Sequence, residues 1–370
     1  MSVELPRRIL FVVPPAASYP STTVRVRQFL PHLARLGIAT TEMTYQSAAR
    51  ERWYVRLVAG PRRIRWGAAR QAARALLRGW SAVHVAIRQL QLLARAHRFD
   101  LVFVQYVLPP VWVIRWLARR NVRLVYDFDD AVFLRDPIRA QAMVSAAWRV
   151  VAGSHFNRDY ALRYNPHTVL VPSAVPVEQY ARARPAPTHD GITRIGWIGG
   201  PATLHYLALI VEPLQRLHAA GMPIELLIAG SRGRPDLIPP FGDVPVTLVP
   251  GYSAADLPEL VGRIDIGVMP LVDGAWERGK CAMKALVYMA GERPAVCSPV
   301  GETNYVVEDG VSGLLADGPD EWERHLSTLI GSPEVRRSMG QRGREIVRLR
   351  YSTEACLRLL VDEVLGDVSR

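Results

Sequence analysis

Short, mostly apolar runs that alternate with helical periods constrain this chain more than any other feature. Residues 9–13, 101–105, 124–128 and 150–152 are such runs, and 194–198, 224–229, 246–249, 264–269 and 295–298 form a second set. A strand that is apolar on both faces must be covered on both, as in parallel sheets flanked by helices. The expected class is therefore α/β with parallel sheets. Between the two sets, residues 171–189 are rich in proline and alanine and follow no period, so the hinge is expected there. A chain of 370 residues accommodates two domains of ordinary size.

No apolar run reaches the roughly 18 residues that a membrane span needs. The run after Arg7 and Arg8 is too short for a signal peptide and is broken by Pro14 and Pro15, so it reads as a buried first strand. Cys281, Cys297 and Cys356 have neither disulfide-framework nor zinc spacing, which suits a reducing, cytoplasmic compartment. The net charge is +12, and residues 50–98 alone hold twelve arginines against one acid, Glu51. The excess is local and no nucleic-acid motif accompanies it, so no nucleic-acid partner is expected.

Within that basic segment, residues 68–96 read as a helix. Leu76, Trp80, Val83, Ile87, Leu90 and Ala94 fall on one face, with arginines beside and opposite. The plain reading is a surface helix whose charged face is solvated. Residues 50–66 instead mix Trp53, Tyr54, Leu57, Ile64 and Trp66 with arginines, which suits peripheral contact with an anionic membrane. A basic acceptor groove or a solvated loop is the alternative.

The lysine count carries the most chemistry. The chain has 44 arginines and only two lysines, Lys280 and Lys284, both in Gly279-Lys280-Cys281-Ala282-Met283-Lys284. Where any cation serves, this chain uses arginine, so a compact ammonium is expected to be needed here. The lysines are expected at the N-terminus of a helix over residues 281–290, where cations oppose the helix dipole unless an anion binds. A diphosphate would satisfy lysines and free amides together.

Other candidates also follow strands, where ligands of open parallel sheets bind. They are Gly199 and Gly200, then Gly230, Ser231 and Arg232, then Tyr252, then Gly301, Glu302, Thr303 and Asn304. A helix is expected over residues 203–217. In the first half, Asp127, Asp129 and Asp130 end a strand and repel one another unless they meet a cation, hydroxyls or solvent. They are expected to orient sugar hydroxyls, or else to cap a turn. Arg25 and Arg27 lie near a helix start after the first strand and are candidates for contact with acceptor or phosphate. No second ligand cluster completes a metal site, so no metal is expected.

Together these pieces resemble the family 4 glycosyltransferases of the GT-B fold, and within them a branch found in bacterial surface-polysaccharide clusters. The best-matched residues are Ile266-Gly267-Val268-Met269-Pro270-Leu271, the lysine segment, Tyr288-Met289-Ala290-Gly291, Pro294-Ala295-Val296 and Ser298-Pro299-Val300-Gly301. Val151-Ala152-Gly153-Ser154, Val171-Pro172-Ser173-Ala174-Val175 and Glu308-Asp309-Gly310-Val311-Ser312-Gly313-Leu314-Leu315 match further family segments.

The resemblance implies two Rossmann-like domains with parallel sheets facing a central cleft. It gives an acceptor domain over 1–172, a nucleotide-sugar domain over 173–350 and a terminal segment, 351–370, that crosses back. It implies retaining, metal-independent transfer from a UDP- or GDP-sugar, with no resident cofactor, to a glycan or lipid-linked acceptor at the inner face of the plasma membrane. Lys280 and Lys284 would neutralise the donor diphosphate and Asp129 and Asp130 would meet sugar or acceptor. The family's paired glutamates are replaced by Gly279 and Val287, with Asp273 or Glu277 as a substitute for one. Those departures keep open a non-catalytic nucleotide- or glycan-binding relative and a GT-B-fold epimerase.

Overall fold

The computed structural model describes residues 5–14, 21–45, 67–120, 123–182 and 191–366. The aromatic–arginine segment 50–66 lies outside them. The chain divides into two compact units. Unit 1 is Met1–Gly153, Asn157–Val171 and Leu357–Arg370, and unit 2 is Ser154–Phe156 and Pro172–Cys356. No described helix is long and apolar enough to cross a membrane.

Unit 1 holds β1 (Arg8–Val13), β2 (Ala39–Thr44), β3 (Leu101–Gln105), β4 (Arg123–Phe128), β5 (Arg149–Ala152) and β6 (Thr168–Leu170) in the order 2-1-3-4-5-6, all parallel. Unit 2 holds β7 (Thr193–Ile198), β8 (Ile224–Ala229), β9 (Val246–Val249), β10 (Ile266–Met269), β11 (Ala295–Cys297) and β12 (Gly313–Leu315) in the order 12-11-10-7-8-9, also parallel. Counted within the unit, that is the 6-5-4-1-2-3 order of a dinucleotide-binding sheet. Its direction of winding reverses between β7 and β10, and sheets of this kind bind ligands outside the strands' C-terminal ends at such a point.

The apolar runs form strands because both faces are covered: every residue of β3 and β10 is buried. The three strands without a counterpart in the sequence pattern are β2, β6 and β12. β2 is an edge strand with Glu42 exposed, and the other two are three residues long, so none carries a readable period.

Residues 203–217 do not form the single expected helix. A 3₁₀ helix over Pro201–Ile210 precedes an α-helix over Val211–Ala219. Leu204, Leu207 and Ile210 recur every third residue and are all fully buried, the repeat a three-residue turn requires. Pro213 lacks an N–H and so must lie in the first turn of the α-helix, which places the change of winding just before it.

The helix Gly67–Ala96 also differs from the plain reading. Among its described side chains, Trp80, Val83, Ile87, Leu90 and Ala94 are exposed, whereas Gln89, Leu92 and Ala96 are buried. Its apolar stripe faces outward. The turns that pack into unit 1 do so through the narrower face.

At the reversal point of unit 2, strand and helix approach closely. A side chain on Gly267 would collide with the Tyr288 ring, so glycine is required there. The buried Tyr288 hydroxyl accepts from the Ile198 N–H at 2.9 Å and donates to the Val268 carbonyl at 3.4 Å, bridging β7 and β10. Burial pushes this phenol well above its usual range, so it stays a donor. Tyr288→Phe keeps the ring and removes the bridge, leaving the Ile198 N–H buried without its acceptor. Urea unfolding should register a loss of about 1–3 kcal/mol. Gly267→Ala should cost at least as much through overpacking. Unchanged midpoints for both variants would refute the bridge.

Candidate active site

The candidate site in unit 2 is the C-terminal edge of β7, β8, β9 and β10. Backbone hydrogen bonds carry the strands slightly beyond their ends: Gly199 N to Ala229 O at 3.0 Å, Gly230 N to Val249 O at 2.8 Å, and Arg232 N to Pro250 O at 2.5 Å. Gly230 has φ +100°, which disfavours a side chain, and any side chain there would strike the Gly199 carbonyl. The Tyr252 hydroxyl donates to that same carbonyl at 3.2 Å. Arg232 is exposed, and its charge acts on the Tyr252 phenol. Ser231 is buried. Around Gly200 there is open space.

Lys284 enters this edge from the helix Met283–Ala290. A Cβ on Gly199 would lie 2.9 Å from Lys284 Cε and 2.5 Å from the Trp197 ring, so the lysine stem crosses the glycine turn. Its ammonium stands 5.3 Å from the Trp197 ring centroid. The lysine's charge is thus delivered to the reversal point of the sheet. Cys297 below is inert: burial pushes its thiol up to about 12, although Lys284 acts in the opposite direction.

Lys280 is placed differently from the sequence expectation. The helix begins at Met283, not near 281, and a separate short helix covers Ala275–Arg278. Lys280 lies in the strap between them, its ammonium 5.9 Å from the Trp276 ring centroid. The strap ends at Ala282, which is left-handed with φ 49°. Such a conformation costs about 1–3 kcal/mol and persists only where surroundings impose it. Here they do: Ser154 Oγ donates to Gly279 O at 3.3 Å, and Gly301 packs against the Arg278 backbone too tightly for any side chain.

The carboxylates near the strap have separate tasks. Glu277 accepts a hydrogen bond from the Tyr206 hydroxyl and stays half-buried at the site. Asp273 is paired with Arg278 at 2.6 Å on the exposed surface, which holds its carboxyl below the usual range.

The loop after β11 is held by its own side chains. Glu302 is buried and accepts from the His155 N–H at 2.8 Å, with His155 Nδ1 at 3.1 Å, while the imidazole stacks on Tyr305. Thr303 is fully buried and donates to the loop carbonyls of Ser298 and Val300. Asn304 Nδ2 donates to Pro299 O at 3.1 Å. All three side chains shape the loop, and the amides of the loop are the groups that the sequence reading offered to an anion or sugar hydroxyls.

In unit 1, the acceptor candidates form ion pairs. Arg25 and Asp127 form a buried bidentate ion pair, and Arg25 Nη1 also donates to Val171 O at 2.9 Å. This pair ties the start of the helix after β1 to β4 and to the chain leaving β6. Arg27 pairs with Glu42 of β2 at 2.6 Å. Arg25 and Asp127 are buried, whereas the Arg27 side chain is 30% exposed. Asp129 and Asp130 remain at the C-terminal edge of β4. Tyr106, at the end of β3, has φ 64°, unusual for an aromatic residue, and its N–H donates to Asp127 O at 2.7 Å. No sequence signal marked Tyr106, Tyr206 or His155.

With this geometry in place, likenesses to known proteins can be compared. Solved structures similar over 96% of this chain include a glycosyltransferase from Rickettsia africae ESF-5, at 13% identity and TM-score 0.67 over 97% of that chain. Another is Anabaena Alr3699/HepE in complex with UDP and glucose, at 13% identity and TM-score 0.66 over 98% of that chain. The fold is the two-domain α/β fold of these GT-B proteins. Residues 192–332, within unit 2, match the family described as Glycosyl transferases group 1. The D-inositol 3-phosphate glycosyltransferase of Salinispora tropica is 32% identical over 120 residues, which is 32% of this chain and 23% of that protein. The chain spans about a fifth to a quarter of the length of the curated relatives it matches.

Asp129 supplies a prediction independent of any ligand. Burial, with Asp130 adding to it, pushes its carboxyl up to about 7, against a smaller opposing effect of Arg25. The unfolded chain ionises near 3.8, so between about pH 4 and 7 the folded chain holds the extra proton. Stability therefore falls as pH rises through that window. Asp129→Asn removes the dependence, and its stability relative to wild type should rise from pH 4.5 to pH 8, by at most about 4 kcal/mol. Urea unfolding at the two pH values measures it. A difference that does not change with pH would place Asp129 in an ordinary carboxylate environment.

Proposed function

We propose that this protein is a glycosyltransferase that takes its sugar from a nucleoside diphosphate sugar, UDP- or GDP-linked, bound at the C-terminal edge of the unit 2 sheet. The observation that carries the reading is Lys284, one of only two lysines among 46 cationic side chains, laid across Gly199 where the sheet reverses. The match of residues 192–332 to a glycosyltransferase family supports it, as do the complexes of the Anabaena neighbour with UDP and with UDP-glucose.

The chemistry follows from the site. A bond forms between the acceptor oxygen and the anomeric carbon as the bond from that carbon to the diphosphate oxygen breaks. The electron pair leaves on the phosphate, which takes the acceptor's proton on the same face, so configuration is retained. Negative charge grows on the diphosphate during this step. A lysine there stabilises the transition state more than the ground state, and neither metal nor cofactor is needed. The glycine turns let the backbone approach the phosphates closely. Glu277, held by Tyr206, is the carboxylate available to sugar or ribose hydroxyls. The acceptor is a glycan or lipid-linked sugar of surface-polysaccharide assembly, received by unit 1 near Asp129 and Asp130. The protein works at the cytoplasmic face of the membrane, with residues 50–66 as a peripheral contact.

Lys284→Ala should lower turnover by about 10²–10³, the usual cost of removing one preorganised charge contact. Calorimetric affinity for UDP or GDP should fall less. Lys284→Arg should rescue only part, because a planar fork does not replace a compact ammonium. Lys280→Ala should have a smaller effect, since Lys280 lies outside the helix. Near-normal turnover and nucleotide binding in the double alanine variant would overturn the donor site. Normal nucleotide binding by a wild type that transfers no sugar to any acceptor would favour the binding-only relative.

A further inference from the structure

The outward stripe of the helix Gly67–Ala96 has no place in the proposed chemistry. Trp80 is 52% exposed, Val83 59%, Ile87 47% and Leu90 63%, at spacings of three and four that put them on one face. The stripe runs about 15 Å along the helix. The helix packs beside Val111–Arg119, which exposes Trp112 to 55% together with Arg115 and Arg119. Arg95 and Arg98 are exposed at the end of the first helix. From Arg52 to Phe99 the sequence has no acidic residue.

We propose that this two-helix face of unit 1 is a docking surface for an anionic lipid bilayer, with Trp80, Val83, Ile87 and Leu90 entering the boundary between headgroups and acyl chains. The inference deepens the peripheral location proposed above and rests on it, and adds to residues 50–66 a contact on the described helices. Charge selects the occupant. Against a second copy, a two-fold contact would set the same arginines opposite one another. Residues 50–66, which precede the helix in sequence, carry six arginines and one acid, a balance that also favours an anionic partner. A bilayer with anionic headgroups meets both needs: apolar depth for the stripe and phosphates for the flanking arginines. Tryptophan at two exposed positions fits, because the indole favours that interface.

The test is sedimentation of the full-length protein with vesicles of phosphatidylglycerol and phosphatidylcholine at physiological salt. Trp80→Ser, Ile87→Ser and Leu90→Ser combined should lower the partition coefficient about tenfold or more, with an unchanged melting temperature because all three side chains are exposed. Leu349→Ser, an exposed apolar residue of unit 2, should bind as wild type does. Vesicles of phosphatidylcholine alone should bind weakly. If the triple variant does not fold, Trp80→Phe keeps the stripe apolar, and quenching by brominated acyl chains should then fall relative to wild type. Wild-type binding by the folded triple variant overturns the proposal, and so does unchanged quenching in Trp80→Phe. A wild-type dimer that the triple variant converts to monomer also overturns it, by assigning the face to a second copy. If Arg62→Glu, Arg63→Glu and Arg65→Glu abolish binding while the stripe variant does not, the anchor is residues 50–66 and only this inference fails. If the wild type binds no anionic vesicles, the peripheral location fails with it.

Discussion

Between β7 and β10 the unit 2 sheet changes its direction of winding, and the two strands pair only through Ile195–Ile266 and Gly196–Gly267. Just before them the Asp265 N–H donates to Arg194 O at 2.7 Å, and past Gly196 and Gly267 the two strands have no further register pair. The Tyr288 hydroxyl takes over, accepting from Ile198 and donating to Val268. Because Tyr288 lies in the helix Met283–Ala290, the bond that closes the sheet also fixes the helix that carries Lys284. The bare face of Gly267 lets the ring sit close enough for this, and Gly199 lets the lysine stem cross the end of β7. Fold and candidate chemistry thus depend on one constraint: two glycines admit two side chains of the same helix to the reversal point.

Unit 1 meets a comparable need by different means. Its chain after β1 is held to β4 by Arg25 and Asp127, buried and bidentate, with a third bond to Val171 O. A buried ion pair is costly to desolvate and is a poor source of net stability, but removal of one partner is costlier still. Its evident effect is geometric: it satisfies Asp127 at a strand end already crowded with acids, and leaves Asp129 as the carboxyl that burial holds near 7. A carboxyl poised at that value, at the C-terminal edge of a parallel sheet, is suited to proton exchange or to donating a hydrogen bond at neutral pH.

The segment from Ala275 to Lys284 is held by contacts distant in sequence. Gly279 and Val287 are both buried. A carboxylate is present through Glu277, oriented by Tyr206 from the 3₁₀ helix. The left-handed Ala282, the Ser154 bond to Gly279 and the contact of Gly301 with Arg278 all serve to set this strap in one conformation.

The local pattern by itself determined the parallel α/β class, the central strands and the singular position of the two lysines. Each rests on periodicity or composition within a short window. The fate of polar side chains was decided only by tertiary structure. Arg25 meets Asp127 across 102 residues and Glu302 meets His155 across 147, so neither pairing has a local signature. The same is true of the apolar stripe on the helix Gly67–Ala96. Periodicity reveals that a helix has an apolar face, but whether the core or something outside the chain covers it depends on which neighbours arrive, and those are set by contacts distant in sequence.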